Sequence, residues 1–208
     1  LAYKLHVIFG KGYGKMKKAI HILIIGFFAL GMLAPSGSAQ HWRDQHELPE
    51  KLLDIAGIEP GMTIGEAGAG DGYLTFHISR RIGEGGRVYA NDINMNALRR
   101  LDARCEREGV TNISTILGEV DDPKFPVNDL DLVIMLYAFH DFTEKTAWLK
   151  NVRKYMKPDA SIYIFDAQDR HTRLDRETVD RLAKAAGFIL TRHEHLHGRV
   201  WLYELHVN

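Results

Sequence analysis

The stretch from Ile64 to Leu74 reads "IGEAGAGDGYL" and sets Gly68, Ala69, Gly70 and Gly72 directly behind the side chain of Glu66. Glycines at this spacing let a backbone turn tightly and approach a ligand with no Cβ in the way. Turns of this kind commonly receive a phosphate, yet Glu66 and Asp71 put negative charge where a phosphate would be repelled. A ligand held close to the backbone and carrying positive charge suits both features; a purely structural turn is the alternative.

A second acid, Asp92, ends the segment "VYAND" about 20 residues beyond the glycines. A carboxylate there can accept hydrogen bonds from the two hydroxyls of a ribose. Capping of the helix that follows is the competing role. The pattern Gly68-x-Gly70-x-Gly72 is one residue shorter than the G-x-G-x-x-G of dinucleotide sites, which together with Glu66 disfavours an NAD-dependent reductase. A ligand with ribose and adenine, no phosphate and a cationic amino-acid tail fits better. S-adenosylmethionine has that make-up.

These residues need elements to hold them. Apolar periodicity predicts a helix over 48–56, a short strand over 62–66, and a helix in "YLTFHISRRI" that stops at Gly83. "GRVYAND" reads as the next strand and "NALRRLDARCEREG" as an amphipathic helix, its four arginines on the exposed side. "NISTILGE", "LDLVIMLYAF" and "SIYIFDA" are further strands; the middle one is nearly all apolar, as expected where both faces are covered. A helix capped by Thr143, with Pro158 past its end, joins the last two. A final helix precedes "FILTRHEHL" and "RVWLYELHV", a hairpin-like pair. Strands alternating with helices predict an open, mostly parallel α/β sheet ending in an antiparallel pair, with the glycine turn at the carboxyl end of the first strand.

Composition limits the partners. The 208 residues are 45% hydrophobic and 26% charged, and 27 basic residues balance 27 acidic ones, so overall charge offers no case for nucleic acid. A single cysteine, Cys105, excludes an intramolecular disulfide. Near the N-terminus Lys15, Lys17 and Lys18 precede the apolar run Ala19 to Leu33, and small residues follow up to Ala39. This matches a secretory signal cleaved after Ala39, with Met16 as the start and residues 1–15 as an upstream extension. An uncleaved membrane anchor is the alternative. Either way the domain is expected to begin near residue 40, run to residue 208, and lie on the far side of the membrane.

Residues 46–206 resemble a class I S-adenosylmethionine-dependent methyltransferase of the small, UbiE-like kind. "GEAGAGDGYLT" resembles the family's first motif, E/D-x-G-x-G-x-G, and "VYANDI" its second. "ILGEVDDPKFP", "DLDLVIMLYAFHDF" and "LKNVRKYMKPDASIYIFD" resemble the segments that follow, in order. The resemblance implies a Rossmann-like sheet of order 3-2-1-4-5-7-6 with strand seven antiparallel. It implies S-adenosylmethionine held by Glu66 and the glycines, Asp92 on the ribose, Ile93 beside adenine, and Glu119 at the adenine amino group with Asp121 in reserve. Tyr137 is placed to line the methionyl pocket, or else packs as a strand residue.

His140 and Asp141, directly after the fourth strand, lie where the family sets residues over the transferable methyl. His140 is the candidate base, since an unperturbed imidazole titrates near neutrality; packing or capping is its other role. Asp166, with Asp169 and His171, suggests an acceptor-side rim, and His193, His195 and His197 share a strand face, but no metal is expected at either place. The acceptor is expected to be a small molecule, contacted by "HWRDQHELPEKLL", the loop after His140, and "DAQDRHTRLD". Export would part the domain from the cytoplasmic supply of its cofactor, which keeps open an exported, non-catalytic binding module.

Overall fold

The apolar segment Leu130–Leu136 is the central strand β4, flanked by β1 (Thr63–Ala67) and β5 (Met156–Ala167). The structure, a computed structural model, describes residues 44–46, 48–169 and 171–208. The expected signal or anchor lies outside them. Among the described residues no helix is long and apolar enough to cross a membrane.

With β2 (Arg87–Asp92), β3 (Ile113–Leu117), β6 (Phe188–His197) and β7 (Val200–Val207), the sheet runs β3-β2-β1-β4-β5-β7-β6. Strands β1 to β5 pair in parallel, and β7 runs antiparallel to both β5 and β6. This is the order that the family resemblance implies, and the antiparallel pair at its end is the one read from the sequence pattern. Because β1 connects outward to β2 on one side while β4 pairs on its other side, the order reverses there and opens a crevice beyond the carboxyl ends of β1 and β4.

Helices α1 (Pro49–Ile55), α2 (Tyr73–Ile82), α3 (Met95–Glu108), α4 (Lys145–Val152) and α5 (Arg176–Ala186) cover the sheet. Asn94, not Asp92, caps α3: its side chain accepts from the amides of Asn96 and Ala97. Asp175 caps α5 by accepting from Thr178 N. The cap of α4 is Glu144, without a side-chain bond, so Thr143 is freed for another place. Strand β5 begins at Met156, earlier than expected, and takes in Pro158. Its pairing with β4 breaks there, jumping from Leu130↔Met156 to Leu132↔Ser161, because proline has no N–H to offer the ladder.

Two apolar layers sandwich the sheet. One gathers Phe139, Trp148, Phe188 and Tyr203 under α4 and α5; the other gathers Leu52, Leu53, Ile64 and Ile78 under α1 and α2. Both press on β4, whose residues Leu132 to Met135 are nearly all inaccessible. Burial on two faces keeps the ends of β1 and β4 rigid, and those ends carry the site.

Candidate active site

The turn after β1 is tied to the end of β2. The amides of Gly68 and Ala69 both donate to Asn91 O at 2.9 Å. The next amide, Gly70 N, donates to Asp92 Oδ2 at 2.8 Å, and Asp92 Oδ1 accepts from Asn94 N at 2.8 Å. A carboxylate offers about four lone-pair directions, so two such bonds aim Asp92 and leave capacity for two hydroxyls. Gly68 has φ 74°, and a Cβ added there would fall 2.3 Å from the Cβ of Ala138. Only glycine lets this turn meet the loop after β4 so closely. Gly72, in the same left-handed region, ends the turn as the N-cap of α2.

Glu66 is buried, with 3% exposure, and its Oε2 has no hydrogen-bond partner. Burial pushes its carboxyl up to about 8, and the neighbouring charge of Asp92 pushes the same way. The Thr75 hydroxyl works in the opposite direction, although its own geometry also falls short of a hydrogen bond. A buried acid without a partner is costly, and a cation beside it removes the cost. The donor set therefore fits the ammonium end of an amino-acid-bearing nucleoside.

A cavity of about 400 Å³ opens beside this turn. Of the residues expected at the site, Gly68, Asp92, Ile93, Glu119, Tyr137 and Asp141 line it. Glu66, Ala69, Gly70, Gly72 and His140 do not; Glu66 lies in β1, the next three build the turn and His140 lies next to Asp141. Glu119 lines the wall and Asp121 does not. Sequence reasoning missed Asn91, Val120, Ala138, Phe142, Thr143 and Trp148 on this wall. Ile93 and Val120 are 61% and 50% exposed, a pair of apolar side chains left open at the cavity. The family resemblance had placed Ile93 here, whereas only its position next to Glu119 hinted at Val120.

The far side of the site begins at Tyr137, a non-glycine residue with φ 51° at the exit of β4. Its amide is held by Phe165 O at 2.8 Å, and the chain then closes a short 3-10 turn, Phe139–Asp141. There His140 Nδ1 lies 2.8 Å from Asp166 Oδ1, and His140 N donates to Asp166 Oδ2 at 3.0 Å. Asp166 has no exposure at all. Burial raises its carboxyl above the ordinary range, while His140 and two backbone amides oppose that rise. His140 Nε2 faces Asp141 Oδ1 at 3.4 Å. Lys145 Nζ donates to the carbonyls of His140 and Phe142, fastening the turn to α4.

Other expected groupings separate. Asp169 turns away from Asp166: it accepts from the amides of His171 and Thr172 and pairs with Arg199. His193 and His195 pack on Trp201 at 4.9 and 5.0 Å between ring centroids, and a register shift between His195 and His197 breaks their alternation. Among the described residues no cluster of three or more His, Cys, Asp or Glu could hold a metal. His41 and Trp42 lie outside the described residues. Asp44 sits against α2, accepting from Tyr73 OH at 3.0 Å.

Comparison with known proteins bears on this geometry. A family model described as a methyltransferase domain matches residues 64–159, from β1 into β5. A SAM-dependent methyltransferase from Aquifex aeolicus aligns with a TM-score of 0.72 over 77% of this chain and 89% of its own, at 24% identity. A TehB-like SAM-dependent methyltransferase from Corynebacterium glutamicum aligns over 83% and 96%, with a TM-score of 0.61 and 16% identity. This is the fold of the S-adenosylmethionine-dependent methyltransferases. The UbiE ubiquinone/menaquinone biosynthesis C-methyltransferase of Shewanella sp. (strain ANA-3) is 26% identical over 129 residues, 62% of this chain and 51% of the relative. The chain thus spans about half the length of the curated relatives it matches. In this methyltransferase fold the Gly68–Gly72 turn and Asp92 share one end of the sheet with His140, across the crevice between β1 and β4.

Proposed function

We propose that the protein binds S-adenosylmethionine and transfers its methyl group to a small-molecule acceptor. The observation that carries this reading is Glu66: a buried carboxyl group whose Oε2 has no hydrogen-bond partner, two residues before a glycine turn whose Gly70 amide donates to Asp92. The methionyl ammonium draws this carboxyl into its ionised form and pairs with it, whereas a phosphate offers it no cation and is repelled by the ionised form. Asp92 accepts from the ribose hydroxyls, Ile93 and Val120 flank adenine, and Glu119 accepts from its amino group. Tyr137 borders the methionyl half. Bound S-adenosylmethionine supplies a methyl carbon already activated by a sulfonium, so orientation of the acceptor does much of the work left to the protein.

His140 and Asp141 are the groups assigned to the acceptor side, His140 as proton acceptor and Asp141 as the carboxylate on the cavity wall. The cavity volume of about 400 Å³ suits a cofactor and a compact acceptor more than a macromolecular segment. Calorimetric titration of the full chain with S-adenosylmethionine, S-adenosylhomocysteine and NAD tests the reading. Binding of the two adenosyl ligands with NAD silent is expected; absence of adenosyl binding at millimolar concentration sinks it.

Export through residues 16–39 belongs to the same proposal as a statement of place. Mass spectrometry of the native N-terminus is expected to find a chain beginning at Gln40, and an intact Met16 start would overturn it.

A further inference from the structure

We propose that Asp166 is a positioning residue that holds His140 as the Nδ1–H tautomer, and that the acceptor is accordingly a molecule with an acidic hydroxyl, phenol or enol in class, whose proton passes to His140 Nε2. This rests on the methyl-transfer reading above.

The donors around Asp166 decide the tautomer. Oδ2 accepts from His140 N at 3.0 Å and Oδ1 accepts from Ala167 N at 2.8 Å. Two backbone N–H groups, one on each carboxyl oxygen, favour the ionised carboxylate over the acid. His140 Nδ1, 2.8 Å from Oδ1, then carries the proton of the shared bond. A neutral imidazole with Nδ1–H has its lone pair on Nε2. Asp141 Oδ1 lies 3.4 Å from Nε2, longer than a good hydrogen bond, which leaves that lone pair available to a ligand hydroxyl. One quarter of the His140 side chain is exposed, and Asp141 beside it lines the cavity.

A buried carboxylate behind an imidazole is a poor way to gain stability, since an apolar pair of similar volume packs as well or better. It does what an apolar pair cannot: it offsets the charge when the ring gains a proton. Asp141 adds a second carboxylate on the Nε2 side. Lys145, the cation packed against this turn, spends its donors on the carbonyls of His140 and Phe142, not on either carboxylate.

This device matters only to some acceptors. An amine attacks through its own lone pair and can shed a proton afterwards. A hydroxyl becomes a strong nucleophile on ionisation. Its O–H bond breaks, the proton goes to Nε2, and oxygen keeps the electron pair. That pair forms the bond to the methyl carbon as the carbon–sulfur bond breaks, its electrons remaining on sulfur. The imidazolium, held between Asp166 and Asp141, then returns its proton to water through the exposed edge of the ring. One proton is released per methyl transferred to a neutral hydroxyl.

The test reads the tautomer directly. Ring nitrogen-15 NMR of the full chain, with His140→Gln to assign the signals, is expected to show Nδ1 protonated and Nε2 bare at about pH 8.5, where a free imidazole is neutral. Asp166→Asn brings an amide NH₂ against a backbone N–H in either orientation, and is expected to shift the ring toward Nε2–H. Wild-type protein with Nε2–H overturns the proposal, whether or not the variant folds. Turnover is measured as S-adenosylhomocysteine release with phenol and catechol set against aniline and benzylamine. Methylation confined to the hydroxyl compounds is expected, with kcat about 10²–10⁴-fold lower in Asp166→Asn and S-adenosylmethionine affinity unchanged. Methylation of the amines with adenosyl binding intact overturns this inference alone. Loss of adenosyl binding in the wild type overturns the methyl-transfer reading beneath it. Where no compound turns over, the tautomer decides.

Discussion

Gly70 N donates to Asp92 Oδ2 at 2.8 Å, a bond across 22 positions of sequence that joins the turn after β1 to the end of β2. It makes the glycine turn and Asp92 one rigid unit before any ligand arrives, so little ordering is left for a ligand to induce.

Asp92→Ala is expected to weaken S-adenosylmethionine binding by about 10²-fold, the loss of charge-assisted bonds to two hydroxyls. Asn94→Ala is the matched control. It removes the actual cap of α3 and should cost about 1 kcal/mol of stability with affinity intact. Calorimetry and denaturant unfolding on both variants separate the two roles, and equal affinity loss in both would count against ribose recognition by Asp92.

Glu66 links binding to pH. In the folded chain it keeps its proton to about 8, whereas the unfolded value is 4.5. The folded state therefore holds more protons between these limits, and the free protein loses stability as pH rises through that window, by several kcal/mol in full. A bound ammonium favours the carboxylate, so loading expels a proton, and affinity should climb by up to about tenfold per pH unit until pH 8. Glu66→Gln should flatten both trends. Tm against pH, and calorimetry in buffers of different ionisation heat, check the sign.

Gly68→Ala brings a Cβ to 2.3 Å from Ala138 Cβ at a backbone with φ 74°. The clash and the left-handed strain together should cost about 2–4 kcal/mol and push the loop after β4 away from the turn. Thermal unfolding and adenosyl affinity should fall together in this variant.

Trp148, 2% exposed, packs edge-on to Phe142 at 5.1 Å and also borders the cavity. Trp148→Ala should destabilise by about 3–5 kcal/mol, whereas Trp148→Phe should keep the fold and enlarge the cavity. Urea unfolding of the two variants distinguishes support of the wall from direct contact with a ligand.

Much of this was legible in order along the chain. The period-2 and period-3.6 patterns place β1 to β7 and the helices between them, because each element's apolar face is a local property of its residues. Glycine spacing and the acid at Asp92 mark one wall of the site for the same reason: turn and acid each act through their own backbone position. Thr143, read as a helix cap, lines the cavity instead, since capping depends on where the chain begins to coil and Glu144 took that place.

The sequence by itself determined the kind of sheet, the place of the glycine turn on it, and the acid at the end of the strand before that turn. Those follow from residue type and near-neighbour spacing. The tertiary structure decided which acid serves which partner. Asp92 holds the Gly70 and Asn94 amides while Asn94 caps α3, and Asp166 pairs with His140 while Asp169 pairs with Arg199. The Gly70–Asp92 and His140–Asp166 pairs each join the ends of two strands far apart in the chain, and only the order of the sheet brings such ends within hydrogen-bond reach.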